Sequence, residues 1–199
     1  MVARANTLTK IPKDRIGALI GPDGKVKQVL EKRLKVELAI DSETGDVAIK
    51  LAPESDDPSL LFRAKEVITA IGRGFTPEGA FRLIGDEELL LEVIDLRETF
   101  GTSQSDLQRV KGRLIGQEGK TRRIIEELTE ADVSIHGHTV AIIADMDQME
   151  IAREAVKMIL RGSMHSTVYR YLNRKRRELK KKKLELWEKP YDTPDKQKE

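Results

Sequence analysis

The sequence predicts an α+β protein made of two copies of one unit, each with the element order β-α-α-β-β-α, and a basic C-terminal helix. The first observation is a repeated glycine turn, defined here as the first turn, Gly21–Lys25, and the second turn, Gly116–Lys120. The copies begin 95 residues apart, and each follows a Leu-Ile pair. The second observation is that apolar patterns recur around both turns in the same order, with slippage only in loops. Together these observations indicate a duplicated domain.

In the first copy, alternation of polar and apolar residues predicts strands at 7–12, 36–40 and 47–51. Apolar residues at helical spacing predict helices over 15–20, 26–34 and 60–71. Residues 75–86 are expected to connect two domains, with the apolar side chains Phe81, Leu83 and Ile84 packed rather than exposed.

The second copy repeats these patterns after a strand predicted at 89–96 and a polar insertion at 98–106 that has no counterpart in the first copy. Further elements are predicted in this order: a helix at 110–115, a helix through 124–128, strands around 133–135 and 140–142, and a helix at 149–160. The predicted domains are 1–80 and 81–165, followed by a basic helix at 166–189 and a disordered tail at 190–199.

Charge is strongly segregated along the 199 residues, although the net charge is only +2. Residues 165–189 contain ten Lys or Arg against three Glu, and residues 105–125 contain six against two acids. Residues 1–35 contain nine against three. Both glycine turns therefore lie in basic segments, which suits a polyanion held at defined places.

Composition also excludes several classes of protein. With no cysteine, the chain has neither a disulfide framework nor a thiolate metal or redox site. Neither a signal peptide pattern nor an apolar run of the roughly 18 residues that span a bilayer is present, so we expect a cytoplasmic protein without membrane contact. We expect no cofactor and no metal.

Each glycine turn is a candidate anion site, because glycine lets backbone N–H groups approach an anion and the following helix N-terminus favours negative charge. The predicted RNA-binding residues are those of the turns and the basic side chains around them. In and near the second turn they are Gly116, Gln117, Glu118, Gly119, Lys120, Lys111, Arg113, Arg122 and Arg123. In and near the first turn they are Gly21, Pro22, Asp23, Gly24, Lys25, Lys27 and Arg15. Arg174, Arg177 and Lys181 of the basic helix are expected to support RNA affinity.

The unit, with Gly-x-x-Gly between two helices, resembles the type I KH domain, so the fold expected is two type I KH domains in tandem. That resemblance implies a loop that clamps the backbone of about four single-stranded nucleotides. More specifically, the chain resembles the archaeal tandem-KH ribosome-assembly factors of the partner of Nob-one (Dim-two) family. The segments that carry this resemblance are 112–115, 116–126 and 162–169, and it covers roughly residues 7–185.

This second resemblance implies a non-enzymatic factor that binds single-stranded ribosomal RNA near the 3′ end of the small-subunit RNA. The implied partners are the Nob-one endonuclease and a ribosomal or translation-factor protein, and we expect a monomer. Sparse aromatic residues, 4% of the chain, argue that hydrogen bonds and apolar contacts rather than stacking determine base preference.

One position departs from the general KH pattern. The third residue after the second glycine is usually aliphatic and lines the base groove, whereas this sequence has Lys27 in one copy and Arg122 in the other. A generic base slot cannot be transferred to these positions.

Three alternatives stay open at this point. Gly119-Lys120-Thr121 matches the end of a P-loop, but Leu114 stands where that motif requires glycine. His136 and His138 are spaced as a metal pair without a third ligand, and a solvated loop is the simpler interpretation. A tandem-KH scaffold that docks proteins in a translation or RNA-decay complex is the main rival to RNA binding.

Overall fold

The computed structural model describes residues 6–188, so the tail expected at 190–199 lies outside the described residues. The first unit contains three strands and four helices. They are β1 Asn6–Lys10, α1 Lys13–Ile20, α2 Lys25–Leu34, β2 Val36–Ile40, β3 Asp46–Leu51, α3 Ser59–Gly72 and α4 Pro77–Gly85. The strands form an antiparallel sheet in the order β1-β3-β2, which leaves β2 at one edge.

The second unit repeats this arrangement and extends it with a long helix. Its elements are β4 Leu90–Asp95, α5 Arg97–Phe100, α6 Gln104–Ile115, α7 Lys120–Thr129, β5 Asp132–His136, β6 Thr139–Ala144, α8 Met146–Leu160 and α9 His165–Glu188. The sheet order is β4-β6-β5, so β5 is the edge strand equivalent to β2.

Two segments differ from the sequence-based expectation. Most of the segment 75–86 forms helix α4, Pro77–Gly85, rather than a plain connection, because Pro77 suits the first helical turn and the Thr76 hydroxyl accepts the Gly79 N–H (3.2 Å). Leu83 of α4 is buried in the core of the first unit, so the boundary predicted between residues 80 and 81 falls inside a helix of that unit.

The polar insertion expected at 98–106 is shorter than predicted. Helix α6 begins at Gln104, six residues before the helix that apolar spacing indicates, because the Ser103 hydroxyl caps the N–H of Asp106 (3.5 Å). The polar residues 104–106 thus form the first turn of a helix, where capping decides the start and apolar periodicity gives no signal.

Strand β6 is buried along its whole length, whereas β3 is buried on one face. Successive side chains of a strand point to opposite faces of the sheet. On one face, Val140 and Ile142 pack into the core of the second unit. On the other, Ala141 and Ile143 join the core of the first unit. The apolar run at 140–144 therefore reflects packing of the two units against each other.

Polar contacts reinforce this packing at the β5 edge. The Ser134 hydroxyl donates to the backbone carbonyl of Arg73 (2.9 Å). His136 Nε2 lies 3.1 Å from Asp14 Oδ2, and Arg82 forms an ion pair with Asp132. The first unit therefore lies directly beside the edge strand of the second.

Helix α9 belongs to the core of the second unit. Val168 and Leu172 are fully buried, and α9 packs against α7 and α8. These buried side chains lie in the first turns of α9, so they hold the start of the helix against the second unit, beside the second turn. Within residues 6–188, no helix combines the length and apolar character that crossing a membrane requires.

Candidate nucleic-acid interface

The two glycine turns have the same backbone conformation. In the second turn Gly116, Glu118 and Gly119 have φ values of 73°, 51° and 77°, and in the first turn Gly21, Asp23 and Gly24 have 72°, 52° and 74°. Three residues with positive φ within four positions form a sharp link between two helices, and a non-glycine residue there carries some strain.

The first glycine of each turn is required by space as well as by conformation. A Cβ on Gly116 would overlap the Thr121 side chain, at 2.8 Å from its Cβ, and a Cβ on Gly21 would overlap Val26 in the same way. By contrast, a Cβ on Gly119 would meet no atom within 4 Å. In the second turn, Gly116 is therefore required by both space and backbone conformation, whereas Gly119 is required by backbone conformation alone.

Helices α2 and α7 begin at these turns without a side-chain cap. In the second turn the N–H groups of Gly119 and Lys120 donate to the carbonyls of Gly116 and Gln117, which leaves the N–H groups of Gln117 and Glu118 at the tip for an anion. The second turn follows helix α6, whereas a P-loop follows a strand, so the geometry does not match a nucleotide-hydrolysing site.

Around the second turn, several cations are available to a ligand. The side-chain ammonium groups of Lys111 and Lys120 form no hydrogen bond or ion pair with any residue that the structure describes. Arg123 is exposed and donates to the carbonyl oxygen of Glu118 (2.7 Å), which holds its guanidinium beside the turn. The side chains of Gln117 and Glu118 are exposed at the tip.

The first turn is more nearly neutralised. Lys25 Nζ lies 3.8 Å from Asp23 Oδ2, and both side chains are well exposed. Proline has no backbone N–H, so Pro22 offers an anion no donor where the second turn has Gln117. The first turn therefore has fewer donors than the second.

Arg15 and Arg113 have contacts that the sequence did not indicate. Arg15 donates to the carbonyls of Ile71 (2.9 Å) and Phe75 (2.6 Å) at the end of α3. Arg113 donates to the carbonyls of Ile159 (3.0 Å) and Ser163 (2.6 Å) at the end of α8. Both guanidinium groups are thus engaged by backbone acceptors within the fold.

The basic residue three positions after the second glycine lies beside a glutamate of the same helix in each unit. Lys27 Nζ lies 3.8 Å from Glu31, and Arg122 Nε lies 3.6 Å from Glu126. The backbone N–H of Leu38 donates to Glu31 (2.8 Å), and that of Val133 donates to Glu126 (3.1 Å).

In each unit, the glutamate of this pair therefore accepts a backbone N–H of the edge strand. Neither glutamate was among the predicted site residues. Their equivalence at an offset of 95 residues is the sequence signal that could have identified them.

In the second unit this pair lines a groove of about 430 Å³ between α7, β5 and the α3–α4 segment. Burial raises the pKa of the Glu126 carboxyl, although the Val133 N–H and Arg122 act in the opposite direction. The first unit contributes the opposite wall, which includes Phe75 and Arg82.

The basic residues of α9 extend away from the second turn. The Tyr169 hydroxyl lies 3.0 Å from Thr121 Oγ1, which fixes the start of α9 beside α7. The Arg174 guanidinium lies over the Tyr171 ring, and its Nε is 3.7 Å from Glu178. Arg177 donates to the Asn173 carbonyl (3.3 Å). Lys181 is exposed. At 1.5 Å rise per residue, Lys181 lies roughly 18 Å along the helix from Tyr169.

His136 Nε2 lies 3.1 Å from Asp14 Oδ2, and His138 Nε2 lies 3.8 Å from Asp95 Oδ2, so the two imidazole rings face different carboxylates. Burial lowers the pKa of His138. No cluster of three or more metal-binding side chains occurs among residues 6–188.

Comparison with known proteins places this geometry in a family. A model of the second KH domain of PNO1 proteins, described as a eukaryotic-type KH domain (type I), matches residues 90–177. A KH domain-containing protein of Methanocaldococcus jannaschii is 47% identical over 94% of this chain and 82% of its own length. The pre-rRNA-processing protein PNO1 of Saccharomyces cerevisiae is 25% identical, and the chain spans 58% of its length.

A solved structure extends the comparison. The a/eIF2alpha–aDim2p–rRNA complex of Pyrococcus horikoshii includes a chain 47% identical to this one, with a TM-score of 0.83. The match covers 89% of this chain and 97% of that one.

The fold and glycine turn therefore define a KH-domain protein of mixed α/β architecture. The chain belongs to the archaeal PNO1/Dim2-like family, which confirms the family predicted from the sequence.

Proposed function

We propose that this protein binds single-stranded RNA near the 3′ end of small-subunit ribosomal RNA, and acts in its processing and in subunit assembly. The observation that carries the proposal is the second turn, where the N–H groups of Gln117 and Glu118 and the ammonium groups of Lys111 and Lys120 have no partner among the residues that the structure describes. The name of the yeast relative and the rRNA in the Pyrococcus complex support it.

We further propose that both units are type I KH domains and that α9 is an addition to the second. The equal element order and the matching φ values of the two turns support this assignment. The packing of Leu83 supports a domain boundary between Gly85 and Leu90, after α4.

The second turn is the principal phosphate contact in this proposal. The N–H groups of Gln117 and Glu118 supply the backbone donors, the dipole of α7 favours the anion, and Lys111, Lys120 and Arg123 supply charge. Phosphate contacts of this kind make single-strand affinity strongly dependent on salt. In this proposal Arg15 and Arg113 stabilise the fold rather than contact RNA, because backbone carbonyls already bind their guanidinium groups.

The first unit is assigned mainly to protein contact. Leu8 is 71% exposed on the outer face of its sheet, whereas the equivalent face of the second sheet is covered by the first unit. The Nob-one endonuclease and a translation factor are the partners we propose. The a/eIF2alpha subunit in the Pyrococcus complex supports the second of these.

A matched pair of variants tests the proposal. Replacing Gln117 and Glu118 by Asp places two carboxylates where phosphate would bind, and Asp tolerates the left-handed conformation at position 118. Pro22→Asp creates the same Gly-Asp-Asp-Gly turn in the first unit.

We expect the second-turn variant to lose at least about tenfold in affinity for single-stranded ribosomal RNA, from the loss of phosphate contacts. The Pro22→Asp variant should lose less. Fluorescence anisotropy measures both affinities, and circular dichroism checks that each variant is folded. Unchanged affinity of a folded second-turn variant would overturn the proposal in favour of a protein-docking scaffold.

A further inference from the structure

Helix α9 contacts the helices on both sides of the second turn. His165 Nε2 lies 2.9 Å from the carbonyl oxygen of Arg113, in the last turn of α6. One helical turn further along α9, the Tyr169 hydroxyl lies 3.0 Å from Thr121 Oγ1, in the first turn of α7. The His165 and Tyr169 rings are neighbours, with centroids 6.1 Å apart. Two adjacent side chains of α9 thus join the helix that enters the second turn to the helix that leaves it.

Thr121 carries this contact into the turn itself. Its side chain is buried, and a Cβ on Gly116 would lie only 2.3 Å from Thr121 Oγ1, so the hydroxyl packs directly against the Gly116 backbone. A buried hydroxyl needs a hydrogen-bond partner, and Tyr169 is that partner. The first glycine of the second turn is therefore tied to α9 through one pair of hydroxyl groups.

The backbone donors of the proposed phosphate contact follow Gly116 directly. They are the N–H groups of Gln117 and Glu118, and Glu118 has a φ of 51°, a left-handed conformation that is strained for a residue other than glycine. Packed neighbours that hold such a turn keep its donors in one orientation before a ligand arrives. This preorganisation strengthens binding, because the ligand does not have to order the turn.

The first turn lacks this connection. Val26 stands at the position of Thr121, so an isopropyl group rather than a hydroxyl contacts Gly21. The helix that follows α3 is α4, and it meets α2 at the far end from the turn, where the Arg33 guanidinium lies over the Phe81 ring. The hydroxyl pair is therefore a feature of the unit to which α9 is added.

On the basis of the function proposed above, we propose that Tyr169 and His165 are positioning residues for RNA binding. They hold the second turn in its phosphate-binding conformation through Thr121 and Arg113, and they do not act by touching RNA. Both hydrogen bonds are present in the free protein, so their loss loosens the turn before RNA arrives. Ordering the turn then becomes a cost of binding.

The first test compares two tyrosines of α9. Tyr169→Phe removes the hydroxyl and keeps the ring, and its affinity for single-stranded ribosomal RNA should fall about three- to tenfold, the scale of one hydrogen bond. The slope of log affinity against log salt should stay unchanged, because no phosphate contact is lost. Fluorescence anisotropy at several salt concentrations measures both quantities. Tyr171→Phe is the matched control and should bind as the wild type does, because the Tyr171 hydroxyl has no hydrogen-bond partner within residues 6–188.

A double-mutant cycle separates positioning from direct contact with RNA. Thr121→Val gives the second turn the side chain that the first turn has, and should lose as much affinity as Tyr169→Phe. The double variant should lose no more than either single variant, because both substitutions remove the same hydroxyl pair. Losses that add, or a shallower salt slope in Tyr169→Phe, would mean that Tyr169 acts on RNA directly and would overturn the proposal.

Hydrogen exchange of the free protein locates the effect. The N–H groups of Gly119 and Lys120 donate to carbonyls inside the turn, and both should exchange faster in Tyr169→Phe and in His165→Phe. The N–H groups of the buried strand β6 should keep the exchange rates of the wild type, since they report on unfolding of the whole unit. Faster exchange in β6 to the same extent as in the turn would show a general loss of stability instead of a positioning role.

The same measurements separate failure of this role from failure of the proposed function. If the wild type does not bind ribosomal RNA, RNA binding itself is contradicted, while hydrogen exchange still shows whether α9 holds the turn. If the wild type binds and a folded Tyr169→Phe variant binds equally well, only the positioning role is contradicted.

Discussion

The guanidinium groups of Arg15 and Arg113 bind equivalent carbonyl oxygens, although the two residues occupy different positions of the repeated unit. Arg15 lies in the first turn of α1 and binds Ile71 and Phe75, whereas Arg113 lies in the last turn of α6 and binds Ile159 and Ser163. Each arginine satisfies carbonyls at the C-terminal end of the last helix of the repeat, where the helix dipole favours a cation.

Arg113→Met should therefore destabilise the protein by about 1.5–3 kcal/mol, the range for hydrogen bonds to a charged group. Arg109→Met on the same helix is the control, because Arg109 forms only an exposed ion pair with Asp106 and should change little. Urea denaturation followed by circular dichroism measures both. Equal midpoints for the two variants would contradict a structural role for Arg113.

The two glycines of the second turn should differ in their tolerance of alanine. Gly119→Ala should cost about 1–2 kcal/mol, the penalty of a left-handed conformation, because the space around it is open. Gly116→Ala should cost clearly more, because its φ of 73° and ψ of 176° are adopted almost only by glycine and its Cβ meets Thr121. Thermal denaturation ranks the pair, and the reverse order would refute this account of the turn.

Helix α9 should stabilise the second unit through its first turns. Leu172→Ala removes a fully buried side chain and should cost about 2–5 kcal/mol. Leu184→Ala, on the same helix but 62% exposed, should have almost no effect on the free energy of unfolding. Should both substitutions prove equally mild, α9 would be a peripheral helix rather than part of the core.

The two turns should differ in their contribution to the salt dependence of RNA binding. Lys120→Gln should make the slope of log affinity against log salt shallower by about 0.7, the value for one phosphate contact on a single strand. Lys25→Gln should change the slope less, because Asp23 lies beside that ammonium group. Titrations at several salt concentrations give both slopes, and a larger effect at Lys25 would reverse the assignment of the turns.

The pH dependence of stability should reveal the environment of Glu126. Burial raises the pKa of its carboxyl above the ordinary 4.5, so the folded state keeps the proton after the unfolded state has lost it. The wild-type protein therefore loses stability from this group as pH rises above about 4.5, by proton linkage. Glu126→Gln removes that loss, so its stability relative to the wild type should improve as pH rises through this window.

Unfolding experiments at a series of pH values test this expectation. Glu31→Gln is the comparison, since the same change is made at the equivalent residue of α2. A stability difference between Glu126→Gln and the wild type that stays constant from pH 4 to pH 8 would show that burial does not control the Glu126 carboxyl.

Much of the fold could be predicted because its signals are local. The helices after both turns show apolar residues at helical spacing, and the strands around Val36–Ile40 and Thr139–Ala144 alternate or form an apolar run. The start of α6 was missed because Ser103 marks it through a cap rather than through an apolar face. Helix α4 was missed because its residues lie between two repeats and align with neither.

The candidate site was predictable only in part, for the same reason. The glycine turns and their basic neighbours are adjacent in sequence, so their shared role is visible in the printed chain. Whether each cation is available to RNA depends on partners elsewhere. Arg113 binds residues 46 and 50 positions away, whereas Lys111 and Lys120 have no such partner among residues 6–188.

The sequence by itself determined the duplication, the two glycine turns and the basic segments around them, because these depend on spacing and on residues near in the chain. Only the tertiary structure decided that Arg15 and Arg113 bind helix ends and that Glu126 lies across the groove. It also decided that the first unit walls the groove of the second. Those contacts depend on how two packed units bring distant residues together, and no local pattern encodes that geometry.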